Sequence, residues 1–128
     1  MTLQLNDLTP LLTSHEGWSV EQLEQSLVIR NEDGIEAFLA IAGEQILVEV
    51  ILFSQAAVTD VAGLNDTILR SHQMFPLSTI GLNMFNEESY YVAFGSLSSQ
   101  SKEESVVIEV ATLFRNVEAF VELYQEYL

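Results

Sequence analysis

No cysteine occurs in the 128 residues of the chain. Disulfide bonds, thiolate nucleophiles and cysteine-ligated metals are therefore excluded, and the usage fits a reducing compartment. Basic residues are scarce as well. Arg30, Arg70, Lys102 and Arg115 stand against 19 acids, for a formal net charge of −15. The four are scattered, so neighbours in sequence build no basic patch. Affinity for a phosphate backbone comes mainly from clustered lysine and arginine, so nucleic acid and anionic membrane are not expected partners. Long hydrophobic runs are missing too. The longest, Ile46 to Phe53, is broken by Glu49 and falls far short of the roughly 20 residues a membrane helix needs. Met1 to Asp7 has neither a basic start nor an apolar stretch. No leader is expected, and the cytoplasm is the expected location.

Catalytic signatures are equally thin. The strand-to-helix connection Phe53-Ser54-Gln55-Ala56-Ala57 lacks the glycines of a phosphate loop, and no dinucleotide fingerprint, nucleophile elbow or zinc spacing occurs. The two histidines, His15 and His72, are too far apart in sequence to suggest a histidine-rich metal site. Asn31, Glu32, Asp33 and Glu36 offer oxygen ligands, but a hairpin turn explains them better than a calcium loop. Adjacent acids at Glu87-Glu88 and Glu103-Glu104 read as turn and helix cap rather than as catalytic pairs. No metal and no cofactor are expected, and the chain reads as non-enzymatic.

What is present is a core. Hydrophobic residues make up 48% of the chain, and its length suits one domain over residues 1–128. A domain of this size buries roughly two-thirds of the surface its unfolded chain exposes. Leu8, Leu11 and Leu12 follow helical spacing and predict a first helix over about residues 6–15, capped by Asn6 or Asp7 and stopped by Gly17. Trp18 to Gln25 is ambiguous between helix and strand. Leu27-Val28-Ile29 is a strand, ended by the turn cluster Asn31-Glu32-Asp33-Gly34. Ile35–Ala42 and Gln45–Phe53 follow as strands around Gly43-Glu44, which has glycine first, as a type II′ turn wants. A second helix over about residues 60–74 is capped by Thr59 or Asp60 and ends before Pro76. Thr79–Phe85 and Ser89–Leu97 alternate as two further strands. Ser101 with Glu104 forms a capping box for a long third helix. The order is helix, three strands, helix, two strands, helix. It predicts an α+β fold with one antiparallel five-stranded sheet and helices packed on it.

Two groups of residues are candidate sites. Asn65, Asp66, Arg70 and His72 place polar side chains on the second helix, and they support an alternative reading as a small-ligand binder or enzyme. For His72 alone, an interaction with the negative end of its helix is the simpler account. Tyr90 and Tyr91 point to opposite faces of a strand. One of them should therefore lie away from the helix-covered core, where tyrosine is a common interface anchor.

The runs Leu64-Asn65-Asp66-Thr67-Ile68-Leu69-Arg70-Ser71-His72 and Pro76-Leu77-Ser78 resemble the YjfI-like family of bacterial proteins. So do Tyr90-Tyr91-Val92-Ala93-Phe94-Gly95-Ser96-Leu97-Ser98-Ser99 and Gly43-Glu44-Gln45-Ile46-Leu47-Val48-Glu49. That family has no established activity, so the resemblance transfers no catalytic residue. Its members are often encoded near PspA-like membrane-stress proteins, which implies a PspA-like protein partner. The element order is also similar to that of the type III secretion chaperones. Those are small, acidic, cytosolic dimers that bind stretches of partner chain, and this likeness implies a chaperone-like homodimer. The function expected from these readings is that of an acidic protein-binding module.

Overall fold

The computed structural model describes residues 2–128. Its centre is a single antiparallel sheet. The strands are β1 (Ser19–Gln22), β2 (Ser26–Arg30), β3 (Glu36–Ala42), β4 (Gln45–Ser54), β5 (Thr79–Phe85) and β6 (Glu88–Ser98). They lie in the order β1-β2-β3-β4-β6-β5. The expected five-stranded sheet therefore has six strands. The added one, β1, is polar and exposed, and its sequence carries little alternation. It is made by its partners. Val20 lies opposite Ile29 on β2. The Gln22 side chain is clipped to the first helix, accepting from Thr9 Oγ1 at 2.8 Å and donating to Asn6 Oδ1 at 2.8 Å.

Turn chemistry sets the register. Between β2 and β3 the Asn31 side chain accepts from the amides of Asp33 and Ile35 at 3.0 and 2.9 Å, and Gly34 takes φ +83°. Between β3 and β4, Gly43 takes φ +61°, as the first position of a type II′ turn requires. Asn86 and Glu87 both have positive φ, the type I′ pattern that joins β5 to β6.

All three helices lie on one face of the sheet. Helix α1 (Leu5–Thr13) packs on β1 and β2, while α3 (Glu103–Tyr124) crosses β4 and β6. Helix α2 (Val61–Ser71) completes the layer next to β5, with Leu64 and Ile68 in the same core. The buried strand residues of that core alternate along each strand: Leu27 and Ile29, Ala37 and Leu39, Ile46, Val48 and Val50, Tyr91 and Ala93. Their neighbours Val28, Phe38, Leu47, Val92 and Phe94 belong to the opposite, helix-free face and not to the core cluster.

Helix bounds shift from expectation for local reasons. At α1 the Asp7 carboxylate accepts from the Gln4 amide at 3.0 Å, so the helix starts earlier. It also ends at Thr13, before Gly17, with Pro10 inside it. Past Ser71 the second helix tightens into a 3₁₀ turn at His72–Met74. Ser101 does not cap α3; its amide turns back to the Ser98 carbonyl at 3.0 Å, and Lys102 becomes the cap position.

Close approach of α3 to the sheet depends on Gly95. A β-carbon there would sit 2.9 Å from both the Glu109 carboxyl group and the Leu77 carbonyl oxygen. The same addition at Gly81 would meet only the Phe94 ring at 3.3 Å. Gly95→Ala is therefore expected to cost about 1–3 kcal/mol in chemical denaturation, the range for overpacking a tight contact. Gly81→Ala should cost clearly less, and equal costs at the two positions would contradict this account of the helix–sheet contact.

Candidate functional site

Helix α2 begins where Asp60 accepts from the Gly63 amide at 3.0 Å. Its inner face is fastened by three tyrosine hydroxyls. Tyr91 donates to Asn65 Oδ1 at 2.6 Å. Tyr127 meets the Thr67 hydroxyl at 2.7 Å, and Tyr124 meets the Ser71 hydroxyl at 2.8 Å. Burial pushes the Tyr124 phenol up, partly offset by the bond to Ser71. Each bond satisfies a polar group that would otherwise be costly to bury.

The six candidate residues are thereby separated. Asn65 and Tyr91 come together. Asp66 and Arg70 pair with each other at 2.9 Å on the solvent side of α2, both well exposed. His72 lies past the helix, where its Nε2 accepts from the Ile80 amide at 3.4 Å and ties down the start of β5. Tyr90 sits on the helix-free face, donating to Glu88 Oε2 at 3.2 Å with its ring 5.9 Å from that of Phe85. Tyr91 is in the core, so the two tyrosines do divide between the faces. Of Asn65, Asp66, Arg70 and His72, only Asn65 lines the groove between α2 and β5.

Asn65 and Tyr91 form the polar end of this apolar groove of about 240 Å³, lined also by Ile68, Leu69, Ile80 and Leu82. The surface around it is unusually greasy. Leu69, Met74 and Met84 are 73%, 70% and 70% exposed, and Leu77 and Leu82 are exposed too. Leu82 and Met84 follow Ile80 on the same side of β5, but α2 is too short to cover them. β5 is also an edge strand, paired only to β6, and its outer row of backbone groups has no strand partner. From Val61 to Asn86 the chain has one acid, Asp66, and one base, Arg70, which neutralise each other. This is a nearly charge-free face on a chain of net charge −15. The alternation of β5 had marked Leu82 and Met84 as apolar; only the length of α2 leaves them bare.

Two carboxyl groups are withdrawn from water, Glu49 in part and Glu109 almost wholly. Glu49 lies on the helix-free face between Phe38 and Phe94, its cross-strand partners. Glu109 is buried where α3 meets Gly95. Burial raises the pKa of both above the usual carboxylate range. Among the described residues, no group of three or more His, Asp or Glu side chains is placed to hold a metal ion. No described helix is long and apolar enough to cross a membrane.

The architecture is shared with several solved structures. YbjN, a candidate transcription regulator from E. coli, superposes with a TM-score of 0.73 at 15% identity, covering 98% of this chain and 95% of that one. A chain of the HopA1–SchA chaperone–effector complex superposes at 0.66 and 15% identity, covering 90% of each. An uncharacterized protein from Methanothermobacter thermautotrophicus gives 0.66 at 12% identity, covering 97% and 98%. At such identities the likeness is one of fold: a one-sided α+β sheet also found in a chain of a chaperone–effector complex. By sequence, residues 2–128 match the DUF2170 family of uncharacterized proteins conserved in bacteria, and the chain belongs to it. The protein YjfI of E. coli K12 is 27% identical over 110 residues, covering 84% of this chain and 83% of its own.

These two desolvated carboxyl groups give a pH dependence. Because their folded pKa values are raised, the folded state holds these protons more tightly than the unfolded chain does. The stability this provides is present below the unfolded carboxylate value near 4.5 and is lost as pH rises through the folded values. The variant Glu49→Gln/Glu109→Gln should therefore melt above the parent at pH 7, and that gain should shrink near pH 4.5. An equal gain at both pH values would contradict the assignment.

Proposed function

We propose that the chain is a non-catalytic, cytoplasmic protein-binding module that works as a homodimer, with the α2–β5 face as its self-association surface. One observation carries this reading: Leu69, Leu82 and Met84 are exposed beside an edge strand within Val61–Asn86, a segment whose single acid and single base cancel. Two copies each carrying −15 repel wherever acidic surfaces meet. A neutral apolar face is where approach costs least and removes most apolar area from water. A twofold axis beside β5 would bring the same patch of each copy into register, which is the arrangement a self-complementary edge favours. The fold likeness to a chain of a chaperone–effector complex supports a role in holding another protein. The family resemblance makes a PspA-like membrane-stress protein the first partner to test.

A second reading, a small-ligand binder, is supported by the Asn65–Tyr91 hydrogen bond at the end of the groove. A ligand there would be small and apolar with one polar group. The scattered positions of Asp66, Arg70 and His72 give it no further anchor.

Light scattering during size-exclusion chromatography should return twice the 14.3 kDa chain mass at micromolar concentration. Leu82→Glu/Met84→Glu, which adds charge at exposed positions, should weaken self-association at least about 30-fold, the loss of roughly 2 kcal/mol typical of an interface centre. Its circular dichroism should not change. A parent chain that stays monomeric, or a variant that dimerises as well as the parent, would sink the proposal.

A further inference from the structure

The sheet is not continuous along its whole length. β3 follows β2 from Ala40 to Glu36, but its pairing with β4 stops at Phe38 and Glu49. Beyond that point β4 runs on through Val50 to Ser54, paired only with β6. Two features pull the strands apart. An ion pair between Arg30 and Glu36 fastens the start of β3 to β2. A bulge in β4 between Ile51 and Phe53 bends that strand, as bulges do. The result is a cleft of about 590 Å³. Phe38, Val50, Leu52, Val117 and Val121 line it. One wall is a length of strand edge with no partner on that side.

The mouth of the cleft is acidic. Asp33, from the β2–β3 turn, and Glu118, from α3, stand on its rim, together with the Glu36 that Arg30 already neutralises. Asp33 and Glu118 are close enough for the Glu118 pKa to be raised, first by a hydrogen bond with Asp33 and then by its charge. No lysine or arginine lies within 4.0 Å of either among the described residues. An apolar slot with a free strand edge and two uncompensated carboxyl groups is complementary to an extended, basic chain segment.

We propose that this cleft receives an extended segment of a partner protein in which lysine or arginine alternates with aliphatic residues. The open edge of β4 supplies the backbone hydrogen bonds of an added strand. Val50, Val117 and Val121 take the aliphatic side chains, and Asp33 and Glu118 face the cation. The proposal rests on the reading of the chain as a protein-binding module, but it uses a site separate from the α2–β5 face.

The test uses the full chain and a fluorescein-labelled heptapeptide of alternating valine and lysine, with a valine–glutamate heptapeptide as its counterpart. Anisotropy should report binding of the lysine peptide and none of the glutamate peptide. Asp33→Asn/Glu118→Gln should weaken binding about tenfold or more, the scale of a lost charge pair. Glu103→Gln/Glu104→Gln, an equal charge change at the start of α3, should have little effect. Val121→Trp, which fills the cleft from a half-exposed position, should also weaken binding about tenfold. Amide exchange in Ile51–Phe53 should slow when the lysine peptide binds. Equal weakening by the two charge variants would mean general attraction to the acidic coat and would overturn the proposal. So would unchanged exchange in β4, or a Val121→Trp chain whose molecular mass changes, which would put a second copy in the cleft. Light scattering on the same samples keeps the two readings apart. A dimer that binds no peptide overturns the cleft alone, and a monomer that binds it overturns the dimer alone.

Discussion

The contact of α3 with β4 and β6 is the constraint on which the rest of the molecule depends. Val106, Val110, Leu113, Val117, Phe120 and Tyr124 leave the helix on its inner side and are all buried. Gly95 removes the side chain that would hold the helix off the sheet. Once α3 is seated, its C-terminal turn places the Tyr124 hydroxyl against Ser71 and so positions α2. Its Asn116 side chain donates to the Pro76 carbonyl at 3.0 Å and to the Ser78 hydroxyl at 2.9 Å. That fixes the connection into β5, where Leu77 adopts φ +70°, a conformation a leucine tolerates only when its surroundings enforce it. One helix thus determines where the edge strand and its bare apolar face are found.

The acidic coat takes on a different meaning in this frame. Most of the 19 acids lie in turns, at helix starts and along α3, where water solvates them. Their even spread makes the gaps informative. The α2–β5 face is neutral and apolar, whereas the cleft beside β4 is apolar inside and acidic at its mouth. These are two different kinds of surface, suited to two different neighbours: another copy of the chain at the first and a basic segment at the second. Neither needs catalytic machinery, and the tyrosine and asparagine side chains near α2 are engaged in holding the helix.

Much of the architecture was legible in the sequence because strand alternation, turn glycines and helix caps were consistent with one another. Asp60 caps α2, and the turns at Asp33-Gly34 and Gly43-Glu44 fall where glycine demands them. β1 is ambiguous with helix in the sequence because a four-residue polar edge strand has little pattern of its own and depends on Gln22 reaching Asn6 and Thr9. Site residues were harder. The i,i+4 spacing of Asp66 and Arg70 predicts the ion pair they form, but helical spacing could not show that His72 lies beyond the helix end. The division of Tyr90 from Tyr91 was legible, since strand geometry alone dictates it. The exposure of Leu82 and Met84, and the gap between β3 and β4, arise from element lengths and a bulge, which no local pattern encodes.

The central claim is that the edge strand β5 is covered by a second copy of the chain. Hydrogen–deuterium exchange of the amides from Thr79 to Phe85, followed by mass spectrometry over a dilution series, tests it most directly. The account predicts that amides of β5 facing away from β6 exchange slowly at high protein concentration and quickly after dilution, while the core strands β4 and β6 do not change. Fast exchange of those amides at every concentration would contradict it.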